Sequence, residues 1–463
     1  MSGFQVVLAA LALGASGPPE GAAPYDWALA QLRVPEAHQT TSGSPGVVVA
    51  LIDLGYRHHP ALDGHLWTNP RPARGDVHGW DFMDDDASLE YTGANEDSAY
   101  FRNHHVFVAG EIAAVAPKCP IMILRVGYQR NHGSWAKAVR YAADHGARVI
   151  VMPHGYIRRG PAGDVPLVYQ GTDFSYPEDN LDLRRALDEA YDRGILVISG
   201  TADNLGRRVA VAPPAFASVC AVGSSNRRGR ASSLAASADY VEFAAPAGEK
   251  TADPRDQVWG LGGDRNHASF QGGCMAAGFA GGVAALARSR FPDLSADQLR
   301  QVLRNTARPA EGETPDDRGW SDRLGFGLLD AARAVGLKDE QLGRDVRLVA
   351  SSVKVVRRGE KVVVEAEVEN LGVLDAERAM VVAYDGDPTR PADPKATFDR
   401  PVPRTTWQAG HAVAAVRGLH RRAVRLELTR RPAALWFETF CLDRHDAGKV
   451  HRVRVDLPPG GPG

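Results

Sequence analysis

The segment that most constrains this chain is Gln271–Leu286, whose sequence is QGGCMAAGFAGGVAAL. Its run of small apolar residues predicts a helix that neighbouring elements approach closely on every side, because larger side chains would hold them apart. The helix is predicted to begin near Cys274, where unpaired backbone N–H groups and the helix dipole favour negative charge. We therefore expect the Cys274 thiol to ionise easily and to act as a nucleophile. The alternative interpretation is a core cysteine beside a packing helix.

Continuous apolar runs elsewhere in the chain predict strands that are buried on both faces. The clearest run is Gly46–Asp53, GVVVALID, which ends in an acidic residue. Strand and helix signals alternate after it, and such repeated β-α-β units indicate a doubly wound, mostly parallel α/β sheet with helices on both faces. Ligands and catalytic groups collect at the carboxyl ends of the strands in sheets of this kind. Asp53 therefore lies where we expect a functional site.

The hydrophobic period changes from 3.6 to 2 in the last part of the chain, where short strands with Gly, Pro and Asp turns predict a β-sandwich. A length of 463 residues also favours two domains. We predict a candidate signal segment and spacer over 1–24, an α/β domain over 25–335, a linker over 336–345, the β-sandwich over 346–457 and a disordered tail over 458–463.

Composition and charge argue against several classes of function. Hydrophobic residues make up 44% of the chain, charged residues make up 24%, and the net charge is −2, so nothing favours nucleic acid or an anionic membrane surface as a partner. The four cysteines imply no paired framework if function keeps Cys274 free. The 15 histidines show no His-Glu-x-x-His or Cys-x-x-Cys spacing, so we expect no catalytic metal.

The N-terminal stretch Phe4–Leu13 is apolar and is followed by small residues, as in a signal peptide, although no Lys or Arg precedes it. It is too short to span a membrane. We expect an exported protein. The alternative is a cytoplasmic protein whose apolar tail packs on the domain or stays disordered.

Three motifs follow one another in an order that resembles the subtilisin-like peptidases, or subtilases. ALIDLGYRHHPAL resembles the aspartate motif of the family and would make Asp53 the triad acid. NHHVFVAGEIAAVAP resembles the histidine motif, whose register favours His104 over the adjacent His105 as the triad histidine. GGCMAAGFAGGVAAL resembles the nucleophile motif, with Cys274 in the place of the family's serine.

The resemblance extends from Tyr25 to Val335 and implies a subtilisin-like fold that acts on peptide bonds. An acid that orients an imidazole, which in turn takes the thiol proton, would support attack on a carbonyl, a thioester intermediate and transfer to water or an amine. This mechanism requires a sulfur within about 5 Å of an imidazole nitrogen. We expect a peptide or protein substrate and no cofactor. The VEAEVENLG stretch resembles immunoglobulin-like modules.

Acid clusters bind structural calcium in related enzymes, and Asp84–Asp86 is such a cluster. The two interpretations are a cation site and surface carboxylates in a loop, of which we favour the second.

The chain departs from the family pattern at the oxyanion position and in the substrate cleft. The asparagine that donates to the oxyanion in the family aligns with Asp203, so either Asp203 is held protonated or Asn204 takes its place. The substrate-lining M-S-L-G is also altered, and its proline lacks the N–H that would pair with an extended peptide. The four predicted substrate-binding residues are Met152, Pro153, His154 and Gly155.

Two further departures bear on activity. The final proline of the nucleophile motif is Gly278, and 24 residues precede Tyr25, so we expect no inhibitory prosegment. Two hypotheses remain. The first is a peptidase or acyl transferase with an Asp53, His104 and Cys274 triad. The second is an inactive homologue that serves as a peptide-binding or scaffold module, in which Cys274 is a packing residue.

Overall fold

The computed structural model describes most of the chain. The chain divides into two compact units, Met1–Gly336 and Leu337–Gly463. The predicted signal segment up to residue 22 and the predicted tail lie outside the described residues. The structure describes residues 23–91, 98–127, 132–154, 178–201, 203, 212–251, 253–264, 266–316, 318–358, 361–384, 408–428, 434–441 and 451–457.

A seven-stranded parallel sheet forms the centre of the first unit, with the order β2-β3-β1-β4-β5-β6-β7. Its strands are apolar and almost entirely buried, which is why they appear in the sequence as continuous hydrophobic runs. The strands are β1 (Val48–Asp53), β2 (Gly79–Asp81), β3 (Ile121–Arg125), β4 (Ala147–Met152), β5 (Leu196–Gly200), β6 (Val219–Ser225) and β7 (Val241–Pro246).

Helices cover both faces of this sheet, which confirms the predicted fold class. Helices α4 (His132–Asp144) and α5 (Glu178–Asp192) pack on one another and share a hydrophobic core with the sheet. Helix α6 (Gly273–Arg290) packs on β4 to β7 and on α3 (Ser98–Val115). The remaining elements are α1 (Asp26–Gln31), α2 (Val34–Ala37), α7 (Ala296–Asn305), α8 (Ala331–Val335) and the hairpin β8 (Val258–Leu261) and β9 (His267–Phe270).

The amphipathic pattern of Tyr25–His38 predicts a single short helix, and the structure differs from this prediction. The segment forms two short helices, α1 and α2, that are separated at Arg33, where φ is 58°. Left-handed backbone cannot continue an α-helix, and the proline at the start of α2 permits a new helix start there. Ser295 followed three residues later by Gln298 predicts a capping box at the start of α7, and these two residues do exchange hydrogen bonds.

Close packing between α3 and α6 explains the missing proline of the nucleophile motif. A Cβ atom on Gly278 would lie 2.0 Å from Oε2 of Glu111 and 2.9 Å from Cγ1 of Val108. Glu111 is fully buried, and within the described part of the chain neither carboxylate oxygen has a hydrogen-bond partner. Burial raises the pKa of Glu111 well above its usual value. Only glycine leaves room for this carboxyl group.

We expect Gly278→Ala to lower the free energy of unfolding by about 1–3 kcal/mol, because overpacking outweighs the gain of about 1 kcal/mol in helix propensity. Chemical denaturation measures this change in the free energy of unfolding. In a Glu111→Ala background the same substitution should have a smaller effect, since the closest contact is gone. Gly64→Ala is the control, because nothing lies within 4 Å of its Cβ position. An equal loss in both backgrounds would contradict the packing argument.

The second unit contains two antiparallel sheets that share one hydrophobic core, as in a β-sandwich. The immunoglobulin-like assignment stays a prediction. One sheet has the order β10-β11-β14 and the other β13-β12-β15-β16. The strands are β10 (Val346–Arg358), β11 (Lys361–Asn370), β12 (Ala376–Tyr384), β13 (Gln408–Val416), β14 (Arg421–Leu428), β15 (Ala434–Cys441) and β16 (His451–Asp456).

Across the described ranges, none of the helices combines the length and apolar character that crossing a lipid bilayer requires.

Candidate active site

Asp53 ends the central strand β1 at the carboxyl edge of the sheet and is fully buried. Nδ1 of His104, on α3, donates to Oδ2 of Asp53 at 2.8 Å. The backbone N–H of Leu54 donates to the other oxygen, Oδ1, at 2.7 Å. Burial alone would raise the pKa of this carboxyl group, but its interactions with His104 and His154 hold the pKa well below its usual range. Asp53 is therefore an ionised, fixed acceptor that orients the imidazole of His104.

His105, the alternative to His104, points elsewhere. Its ring is fully buried and makes an edge contact with Tyr56, with ring centroids 5.7 Å apart. Burial lowers the pKa of His105 to about 4, so its ring is neutral at neutral pH. Of the two neighbouring histidines, the structure places His104 against the acid.

His154, predicted to bind substrate, lies directly beside the Asp53–His104 pair. Its Nε2 is 2.8 Å from Oδ1 of Asp53, and its ring centroid is 4.5 Å from that of His104. Burial lowers the pKa of His154, as does the neighbouring His104 charge, although Asp53 opposes this. One carboxylate therefore contacts two imidazoles through its two oxygens.

Cys274 occupies the first turn of α6 and is partly exposed. Its sulfur and one ligating nitrogen each of His104 and His154 all lie within 4.8 Å of one another. This separation satisfies the limit of about 5 Å that the predicted mechanism requires. The backbone reaches this position through Gly272, whose φ is 120°, a conformation that L side chains rarely adopt.

The expectation of an easily ionised thiol is wrong. Burial raises the pKa of Cys274 well above its ordinary value. The charges of Asp203, Asp53 and Glu111 raise it further, whereas a backbone hydrogen bond lowers it by less. Desolvation and nearby acids therefore outweigh the lowering of the thiol pKa that a helix N-terminus provides. The thiol is neutral at rest, and His104 would have to accept its proton as it attacks, which is the way serine nucleophiles react.

The side chain of Asp203 lies beside the first residue of α6. Its Oδ1 accepts a hydrogen bond from the backbone N–H of Gly273 at 2.9 Å. Burial raises the pKa of Asp203 to about 7, while this hydrogen bond lowers it. The carboxyl group is thus partly protonated near neutral pH. The alternative oxyanion residue, Asn204, lies outside the described residues.

Both of the other described residues in the predicted substrate-binding segment, Met152 and Pro153, are buried. Met152 ends β4 and is 1% exposed, with its side chain in the hydrophobic core. Pro153 is buried as well, and Gly155 lies outside the described residues. The hydroxyl of Ser199 on β5 donates to the carbonyl of Met152 at 2.6 Å. The buried Met152 side chain is not accessible to a peptide.

The acids Asp84–Asp86 are engaged with neighbouring donors. Asp84 pairs with Arg125 at 2.8 Å, and Asp85 accepts from the indole N–H of Trp80 at 3.2 Å. Oδ1 of Asp86 accepts from a nearby backbone N–H. The preference for surface carboxylates over a calcium site at this loop stays a prediction.

Sequence reasoning missed two buried residues near the site. Arg125, the register partner of Asp53, donates from Nε to the carbonyl of Leu54 at 3.3 Å and fixes the backbone after β1. Glu111 packs against Gly278 of α6 and raises the pKa of Cys274. The available signal was Glu111 itself, a charged residue type inside an otherwise apolar run.

Comparison with known proteins decides the family. The subtilase family model matches residues 44–327, which is more than half of the chain. The chain belongs to the subtilase family. This subtilase is 26% identical over 341 residues to fervidolysin from Fervidobacterium pennivorans, a match that covers 66% of this chain and 43% of fervidolysin. The chain therefore spans less than half of that relative.

Matches to two further proteins cover a larger share of the matched protein's length. Mycosin-1 from Mycobacterium tuberculosis is 27% identical over 360 residues, covering 67% of this subtilase and 72% of mycosin-1. The crystal structure of a lanthipeptide protease superposes with a TM-score of 0.54 at 24% identity, covering 67% of this chain and 94% of that one. The latter similarity shows the fold alone. The predicted family is confirmed, and family membership supports a peptidase.

Proposed function

We propose that this subtilase cleaves or transfers peptide bonds with Cys274 as the nucleophile, His104 as the general base and acid, and Asp53 as the orienting acid. The observation that carries the proposal is that Asp53 lies 2.8 Å from His104, which in turn lies within 4.8 Å of the Cys274 sulfur. The retained acid and histidine therefore share one site with a nucleophilic side chain.

The reaction begins with a neutral thiol. As the sulfur attacks the carbonyl carbon of the scissile bond, the Sγ–H proton moves to His104, and the carbonyl oxygen becomes an oxyanion. His104 then gives this proton to the leaving amine, which leaves a thioester on Cys274. Water or an amine attacks the thioester in the second half and returns the thiol.

The oxyanion would lie near Asp203 or Asn204. A protonated Asp203 can donate a hydrogen bond to it, whereas an ionised Asp203 would repel it. The substrate is a peptide or protein, and in this proposal it binds beside His154, past the carboxyl end of β4. Pro153 has no N–H, which favours a restricted set of substrates over broad cleavage. We further propose that the protein is exported.

A second candidate function is an inactive scaffold that binds peptides. The raised pKa of Cys274 and the acidic residue at position 203 favour it, because both disfavour charge development during attack.

A peptide library incubated with the full chain and analysed by mass spectrometry separates the two. Cleavage at defined bonds, with an acid-trapped acyl adduct located on Cys274, is the result expected of the enzyme. Intact peptides and no adduct would leave only the scaffold. Adduct formation at Cys441, which is also half-exposed, would show unspecific acylation and would contradict the assigned nucleophile.

A further inference from the structure

Asp53 contacts a second histidine that the proposed peptide chemistry does not use. Its Oδ2 accepts from Nδ1 of His104, and its Oδ1 is 2.8 Å from Nε2 of His154. A carboxylate that fixes the far side of an imidazole is the usual outer partner of a metal-binding histidine, because it sets the tautomer and the direction of the ligating nitrogen. Here one buried carboxylate contacts both rings.

The ligating atoms of His104, His154 and Cys274 form a compact triangle, all within 4.8 Å of one another. Zinc binds nitrogen at about 2.0–2.1 Å and sulfur at about 2.3 Å, so tetrahedral ligands lie roughly 3.5 Å apart. Closing the triangle from at most 4.8 Å requires shifts of about 1 Å, which small side-chain rotations would supply. The two imidazoles are buried, and neutral imidazole and thiolate are preferred ligands of zinc.

We propose that His104, His154 and Cys274 form a binding site for a zinc ion, with Asp53 orienting the two imidazoles. Binding forms one Zn–S and two Zn–N bonds and releases the thiol proton of Cys274 to solvent. Three protein ligands leave a fourth position of the tetrahedron for water.

Two departures from the family pattern support this assignment. His154 stands where the M-S-L-G segment has leucine, and Cys274 stands where the nucleophile motif has serine. Each change introduces a zinc-binding side chain, and the fold brings both to the same histidine, His104. A single ligand accounts for both changes. The sequence expectation of no metal was based on ligand spacing along the chain, and such spacing does not detect ligands that come from three separate elements.

Zinc would also control the proposed peptidase, and this consequence alone rests on the proposed function. A zinc ion on the Cys274 sulfur and on His104 occupies both the nucleophile and its base. Zinc binding and acyl transfer therefore exclude one another, and a chelator would restore cleavage.

The test uses the full chain, freed of metal and kept reduced by a phosphine. We expect one Zn²⁺ per chain in competition with a chromophoric chelator, and a thiolate-to-metal absorption band when Co²⁺ is the probe. His154→Leu, which restores the family residue, should weaken Zn²⁺ binding at least tenfold. Cys274→Ala should abolish the Co²⁺ band. His58→Ala controls for surface histidines, since His58 is exposed and pairs with Asp63.

Circular dichroism confirms that each variant is folded. Absence of stoichiometric Zn²⁺ binding, wild-type affinity in His154→Leu, or a Co²⁺ band that persists in Cys274→Ala would each overturn the site. The outcome is separable from the proposed function, because binding is measured without a substrate. A protein that binds Zn²⁺ as expected and cleaves no peptide when metal-free keeps the zinc site and loses the peptidase.

Discussion

Cys274→Ala is expected to lower kcat/KM for a cleaved peptide by about 10⁴-fold or more. Catalytic residues that act as a unit fail together, so loss of the nucleophile removes nearly all of the advantage that the set provides. The residual rate would come from binding and from the oxyanion environment. The measurement is steady-state cleavage of a peptide found in the library experiment, with the enzyme kept free of metal.

Cys441→Ala is the matched control, because Cys441 is also half-exposed but lies in the second unit. It should retain wild-type kcat/KM. Thermal unfolding of both variants shows whether the fold is intact. Full activity of a folded Cys274→Ala protein would remove the proposed mechanism while leaving the fold assignment untouched.

Asp203→Asn is expected to raise kcat/KM at about pH 8 by about 10²-fold. With a pKa of about 7, Asp203 is mostly ionised at that pH, so it repels the oxyanion and raises the pKa of the Cys274 thiol. Asparagine carries no charge and supplies an N–H donor, and a single donor of this kind changes kcat by about 10²–10³. The wild-type rate should therefore fall as pH rises through about 7, and the variant should lose that decline.

A pH profile of kcat/KM between about pH 6 and about pH 8 checks this expectation, since the gain should shrink at the acidic end. Asp203→Ala removes the charge without adding a donor and should fall between the wild type and Asp203→Asn. Asp188→Asn, on the exposed face of α5, controls for the loss of one negative charge. A wild-type profile in Asp203→Asn would place Asp203 away from the oxyanion.

The raised pKa of Asp203 also predicts how stability depends on pH. Its folded value of about 7 exceeds the ordinary value of 3.8, so the folded state binds more protons between these limits. Its contribution to stability is present below about pH 4 and is lost as pH rises through about 7. The unfolding temperature should decline less over this pH range in Asp203→Asn than in the wild type. This measurement needs no active enzyme.

Much of the fold was predictable because its signals are local. Strands β1, β3, β4 and β5 are continuous apolar runs that a parallel sheet buries on both faces. The apolar runs predict strands over Gly46–Asp53, Ile121–Val126, Arg148–Met152 and Ile195–Ser199, and these ends lie within two residues of the observed ones. Helix α3 was not predicted, since burial of nearly all of its sides removes the amphipathic pattern that marks a surface helix. The short strand β7 and the hairpin β8–β9 lacked a distinct signal.

The sequence by itself determined the family, the order of the motifs and the three candidate residues Asp53, His104 and Cys274, because each motif is a contiguous segment. Only the tertiary structure decided the state of the Cys274 thiol and the position of His154. The pKa of a thiol depends on burial and on charges that the fold brings from distant segments, here Asp203 and Asp53. For the same reason, no spacing along the chain could show that His154 and His104 contact one carboxylate.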